Sequence, residues 1–81
     1  MLGLLNADTK EFKQGLRVQI LNEYHDKTTC SDYVYVVRVI DDNPEHYINN
    51  HKSKYLTDKI NFESKHGSIE LFSRFRIDII Q

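Results

Sequence analysis

The most regular pattern in the chain lies near its end. Ile69, Leu71, Ser73, Phe75, Ile77 and Ile79 fall on one parity, and Glu70, Phe72, Arg74, Arg76, Asp78 and Ile80 fall on the other. A period of two marks a strand with one face buried, so residues 68–80 predict one long amphipathic strand with its arginines in water. Leu16, Val18 and Ile20 alternate in the same way with Arg17 and Gln19, which predicts a strand over 16–24. Residues 32–41 carry β-branched and aromatic side chains on both parities, as a central strand does. The polar stretch 25–31 between these two runs predicts a turn, and the pair predicts an antiparallel hairpin.

Two stretches carry helix signals instead. Asp8-Thr9-Lys10-Glu11 has the form of a capping box, and Gly15 follows as a stop, so one or two helical turns are expected over 9–14. Asn43 suits an N-cap, Pro44 the first helical position, and Glu45 the positive end of the dipole. Tyr47, Ile48, His51, Tyr55 and Leu56 then recur at spacings near four, which predicts a helix over about 44–56. Asn49, Asn50 and Ser53 weaken it, because their side chains compete for backbone hydrogen bonds. Ile60 and Phe62 alternate with polar neighbours as in a strand, and Lys65-His66-Gly67 reads as a turn in which Gly67 supplies a positive φ.

The order is a short helix, two strands, a helix and two strands. It predicts an α+β fold, a four-stranded antiparallel sheet with the main helix packed on one face. The alternative is a small SH3-like β-barrel in which 44–56 are loop and edge strand. Residues 1–81 are expected to form a single domain, since 81 residues fall well short of two. A chain this short buries only about 60% of its unfolded surface, so its stability calls for outside help. Cys30 is the only cysteine, which excludes an internal disulfide and fits a reducing, cytoplasmic setting. Self-association or a protein partner is then the expected source of added stability. Met1-Leu2-Gly3-Leu4-Leu5 is apolar but too short for a signal peptide or a membrane span. It reads either as a lid on the core or as a docking tail.

Composition narrows function mainly by exclusion. The net charge of −1 argues against a globally basic nucleic-acid binder and against an acidic mimic. Ile, Lys, Asn and Tyr are abundant while Ala occurs once, the bias of an AT-rich coding sequence, such as that of a low-GC bacterium or its phages. The three glycines are isolated, so no phosphate-binding loop exists. His46 and His51 are five apart and on different sides of a helix, which speaks against a metal site. Cys30 and His25 share a loop, yet nothing around them activates a thiol, and Asp41-Asp42 reads as a solvated turn. No catalytic constellation, metal site or cofactor motif emerges.

The positive charge is sorted. Arg17, Arg38, Arg74 and Arg76 all fall in predicted strands, and all seven lysines fall outside them. On a rigid sheet these arginines, with Phe72 among them, would form a face that binds carboxylates or phosphates. The competing expectation pairs them across strands with Glu23, Glu70 and Asp78. Tyr33 and Tyr35 share a strand face and suit either an interface or the margin of the core. The functional expectation is a non-enzymatic protein-binding module, such as a phage or mobile-element inhibitor of a host or defence enzyme. The second expectation is a nucleic-acid binder that uses the arginine face.

Overall fold

The computed structural model describes residues 1–24, 33–49 and 57–80. Five strands form one antiparallel sheet: β1 (Leu2–Leu5), β2 (Arg17–Tyr24), β3 (Val34–Val39), β4 (Ile69–Ser73) and β5 (Ile77–Ile80). The order across the sheet is β4-β3-β2-β1-β5. One α-helix, α1 (Asp58–Lys65), and two 3-10 turns, Pro44–His46 and Arg74–Arg76, complete the described elements. The class is α+β as expected, with five strands rather than four. The SH3-like barrel is not met, because β4 and β5 have no ladder between them and the sheet stays open.

The added strand is the apolar N-terminal run. β1 lies between β2 and β5, pairing Gly3 with Val18 on one side and with Ile79 on the other. Here glycine is required by space: a Cβ at Gly3 would sit 2.5 Å from Ile77 Cγ2. The long strand predicted over 68–80 is cut in two by the turn at Arg74–Arg76, where the Ser73 side chain accepts from the Phe75 N–H. That turn joins the two outermost strands of the sheet within three residues. The sheet therefore curls until its two ends share a corner, closed by Asn6, which donates from its N–H to Arg76 O at 2.8 Å and from Nδ2 to Phe75 O at 2.8 Å.

Neither predicted helix forms over the residues described. Over 9–14 the Thr9 hydroxyl accepts from the Glu11 and Phe12 N–H groups, and Asp8 accepts from Gln14 N–H. Side-chain acceptors here satisfy the backbone without a helix, and Phe12 forms a β-bridge with Tyr47. Asn43 and Pro44 do start a helical turn, but it is a single 3-10 turn that ends at His46, because burying Tyr47 against Phe12 pulls the chain into extended geometry. The rest of the predicted 44–56 helix, 50–56, lies outside the described residues, as does the turn at 25–31. The helix appears later, over the Ile60 and Phe62 pair read as a strand. Thr57 caps it by accepting from Ile60 N–H, Asp58 occupies its first turn and Lys65 its last. Gly67 then takes φ +84°, as its place in the turn predicts.

The core is Leu5, Phe12, Leu16, Val18, Val37, Val39, Tyr47, Phe72 and Ile77. Phe62, Tyr47, Phe12 and Phe72 run through it as a chain of edge-on rings with centroids 4.9, 5.8 and 6.1 Å apart. α1 joins this chain through Phe62 and through Lys65, whose Nζ donates to Ile48 O at 2.9 Å beside the Phe12 ring. Its one buried residue is Asn61, and the amide Nδ2 there finds no hydrogen-bond partner. A buried amide without a partner costs about 1–3 kcal/mol, and leucine is also the better helix former. Asn61→Leu is therefore expected to stabilise the fold by about 1 kcal/mol or more, read as a higher urea midpoint with unchanged slope.

Candidate functional site: the outer face of the sheet

The registers decide which side chains share a face. Gln19 lies opposite Arg38, and Arg38 opposite Ile69; Val36 lies opposite Leu71, and Val34 opposite Ser73. Partners in antiparallel strands point the same way and alternate along each strand. The outer face of β2, β3 and β4 therefore carries Arg17, Gln19, Asn22, Tyr24, Val34, Val36, Arg38, Ile69, Leu71 and Ser73. A bulge between Ile20 and Asn22 shifts the phase of β2 and brings Asn22 and Tyr24 out.

This overturns the parity expected for the last segment. Phe72 points inward and is only 9% exposed, as part of the core. Ile69 and Leu71 point outward, at 52% and 64% exposed. Phe72 reaches Phe12 in the aromatic chain, and that packing sets the strand's facing. Ile77 returns to the core because the turn at Arg74–Arg76 resets the alternation. Tyr35, opposite Phe72, packs against the core as well.

The four arginines separate. Arg17 and Arg38 share the outer face. Arg74 and Arg76 lie on the turn rather than in a strand, where the Arg74 guanidinium stands 4.7 Å over the Tyr33 ring and 5.3 Å from that of Phe75. None of the four has a carboxylate partner among the described residues; the ion pairs present are His46–Asp41 and His66–Asp42. Of the three acids expected to pair with them, Glu23 and Glu70 lie on the other face, while Asp78 shares the face of Arg17 with Leu4 between the two. Glu70 and Glu23 share the parity of Val37 and Tyr35, and Asp78 accepts from Asn6 Nδ2. No carboxylate belongs to the outer face of β2, β3 and β4 among the described positions.

Beside Arg17 the face runs into a hollow of about 310 Å³, lined by Leu4, Gly15, Ile40 and the segment from Asp41 to Asn43, with His46 closing one wall. Sequence reasoning missed its central feature, the Asp41 carboxylate. Asp41 is buried and accepts from Arg17 N–H at 2.8 Å, from Asn43 N–H at 2.7 Å and from His46 Nδ1 at 2.6 Å. Its backbone carbonyl accepts from the Tyr47 hydroxyl at 2.6 Å. Burial opposes ionisation of Asp41, but the hydrogen bonds from Asn43, His46 and Arg17 outweigh it and hold the carboxyl below its usual range. Burial and the negative charges of Asp41 and Asp42 push Tyr47 upward, so its hydroxyl remains a donor. Gly15 faces the His46 ring at φ +97°, where a side chain would meet both backbone strain and the imidazole. A histidine–carboxylate pair can serve a general base, yet this hollow is lined by no hydroxyl or thiol that it could activate. His25, Cys30 and His51 lie outside the described residues, and among the described ones no three metal-ligating side chains gather.

No protein-family model, curated protein or solved structure matches this chain. No helix among the described residues is long and apolar enough to cross a membrane.

Asp41 gives the structure a defined pH signature. Its carboxyl is ordinarily near 3.8 and lies lower in the folded state, so its contribution is complete above 3.8 and is lost as pH falls through the lowered value. Asp41→Asn keeps the shape but weakens three charge-assisted bonds, and is expected to cost about 2 kcal/mol at neutral pH. Denaturant melts from pH 7 down to pH 2 (a range of roughly five units, bracketing the carboxylate values) should show the gap between variant and wild type closing at the acid end. A gap independent of pH would show that the charge of Asp41 is not what the fold uses.

Proposed function

We propose that the chain is a protein-binding module without chemistry of its own, which takes an acidic and apolar segment of a partner on the outer face of its sheet. The observation that carries this reading is the pairing of two arginines without an ion pair among the described residues, Arg17 and Arg38, with exposed Tyr24, Ile69 and Leu71 on the β2, β3 and β4 part of the face, where no described position carries a carboxylate. Arginine offers a planar fork that matches a carboxylate, and its weak hydration makes it the cation best suited to an interface. The apolar side chains between the arginines supply the desolvated centre that interfaces need, and the hollow beside Arg17 offers room for one anchoring side chain.

The small size and the AT-rich composition support a place among inhibitors carried by phages or mobile elements, whose target would be a host or defence enzyme. Nucleic-acid binding has less support. Phe72, the residue that would have stacked on bases, belongs to the core.

Arg17→Glu combined with Arg38→Glu tests the reading. Both side chains are exposed, so the melting temperature is expected to stay within about 3 °C of wild type. Wild-type protein immobilised against lysates of low-GC bacteria should retain a stoichiometric protein partner, with affinity in the double variant reduced at least about tenfold. Retention of the same partner by the double variant would remove the arginine face from the interaction. A salt-sensitive mobility shift of single-stranded DNA or RNA, lost in the same variant, would replace the protein reading with the nucleic-acid one.

A further inference from the structure

A second feature of β4, independent of the arginine face, is its outer backbone edge. Val39 N–H donates to Ser68 O and Arg74 N–H donates to Tyr33 O, which places the bonded pairs of this ladder at Ser68, Glu70, Phe72 and Arg74. The N–H and C=O groups of Ile69, Leu71 and Ser73 therefore point away from β3, at the end of the sheet. Among the described residues nothing bonds to them. Edge strands are normally blunted by lysine, proline or a bulge, and β4, Ile-Glu-Leu-Phe-Ser, has none of these; its single charge, Glu70, faces the other way.

We infer that this edge pairs with the same edge of a second copy, antiparallel and centred on Leu71, to form one sheet continuous across a two-fold axis. In that register Leu71 faces Leu71 of the second copy and Ile69 faces its Ser73, so every outward backbone group of the strand is bonded on both copies. Val36 and Leu71 of the two copies line up as one apolar row across the outer face. On the opposite face Glu70 lies across from Phe72 of the second copy and diagonally across from its Arg74, within reach of a long side chain. That contact occurs twice by symmetry and supplies Arg74 with the carboxylate it lacks in the monomer. The neighbouring register centred on Glu70 would set two carboxylates against each other. The one centred on Phe72 would leave Ile69 facing Phe75, beyond the strand and within the 3-10 turn. An isologous pairing of this kind also meets the need of a small core for stabilising surface.

Sedimentation over a concentration series tests the association, and amide exchange locates it. The wild-type protein should pass from monomer to dimer. The amides of Ile69, Leu71 and Ser73 should exchange about tenfold more slowly in the dimer, while those of Glu70 and Phe72, already bonded to β3, stay unchanged. Leu71→Lys sets two ammonium groups together at the axis and should abolish the dimer. Glu70→Arg should weaken it, and adding Arg74→Glu should restore it, which keeps the test open if Leu71→Lys fails to fold. A protein monomeric up to millimolar concentration would overturn the inference. So would a dimer indifferent to these variants, or one that leaves the three amides unprotected. None of those results bears on Arg17 and Arg38, so failure here is distinguishable from failure of the binding face.

Discussion

Four hydrogen bonds converge on Asp41, and most of the molecule is arranged around them. The carboxylate binds the first residue of β2, the cap of the Pro44–His46 turn and the His46 ring, while the carbonyl holds Tyr47. Tyr47 is in turn the ring that joins α1 to the sheet by way of Phe62 and Phe12. One residue thus couples the mouth of the hairpin, a loop, the helix and the aromatic core. A buried charge is costly unless its lone pairs are occupied, and here three donors occupy them. The His66–Asp42 pair nearby reaches between the same segments at 3.3 Å, but Asp42 is almost fully exposed and the pair adds little.

How much of this was legible in the chain differs by element. The strand over 16–24 was legible from its alternation, and the one over 32–41 from an unbroken run of β-branched and aromatic residues that suits a strand with a neighbour on both sides. Leu2–Leu5 was not, since four apolar residues without alternation carry no period. Its strand character comes from β2 and β5, which flank it from distant parts of the sequence. The helix start at Asn43-Pro44 was legible as a cap and misleading as to length. A capping signal says where a turn begins, and Tyr47 says where tertiary packing ends it. Ile60 and Phe62 are too close together to distinguish a period of two from one of 3.6.

The site was legible in its residue types more than in its faces. Arg17 occupies the outward position that alternation gives it, and Arg38 faces outward opposite Gln19. For β4 the alternation runs across the Arg74–Arg76 turn, which has a different rise and rotation per residue, so the parity it predicts is inverted. Only the pairing of Phe72 with the aromatic chain settles it. The Asp41 network had no local signature, because its donors lie at Arg17, Asn43 and His46 and meet only once β2 and β3 are side by side.

The curl of the sheet has a consequence for the order of assembly. β1 takes one neighbour from the first quarter of the chain and the other from its last five residues. During synthesis the β1–β2–β3 ladder can form early, but the second edge of β1 has no strand to meet until Ile77–Ile80 is made. The pairing that spans almost the whole sequence is the one with the largest loop to close, and such topologies fold slowly for their size. Until it closes, Leu2, Leu4 and the β1 backbone form a nascent apolar edge, the kind of surface on which folding intermediates aggregate. For this chain the final four-residue strand acts as the latch that removes that hazard.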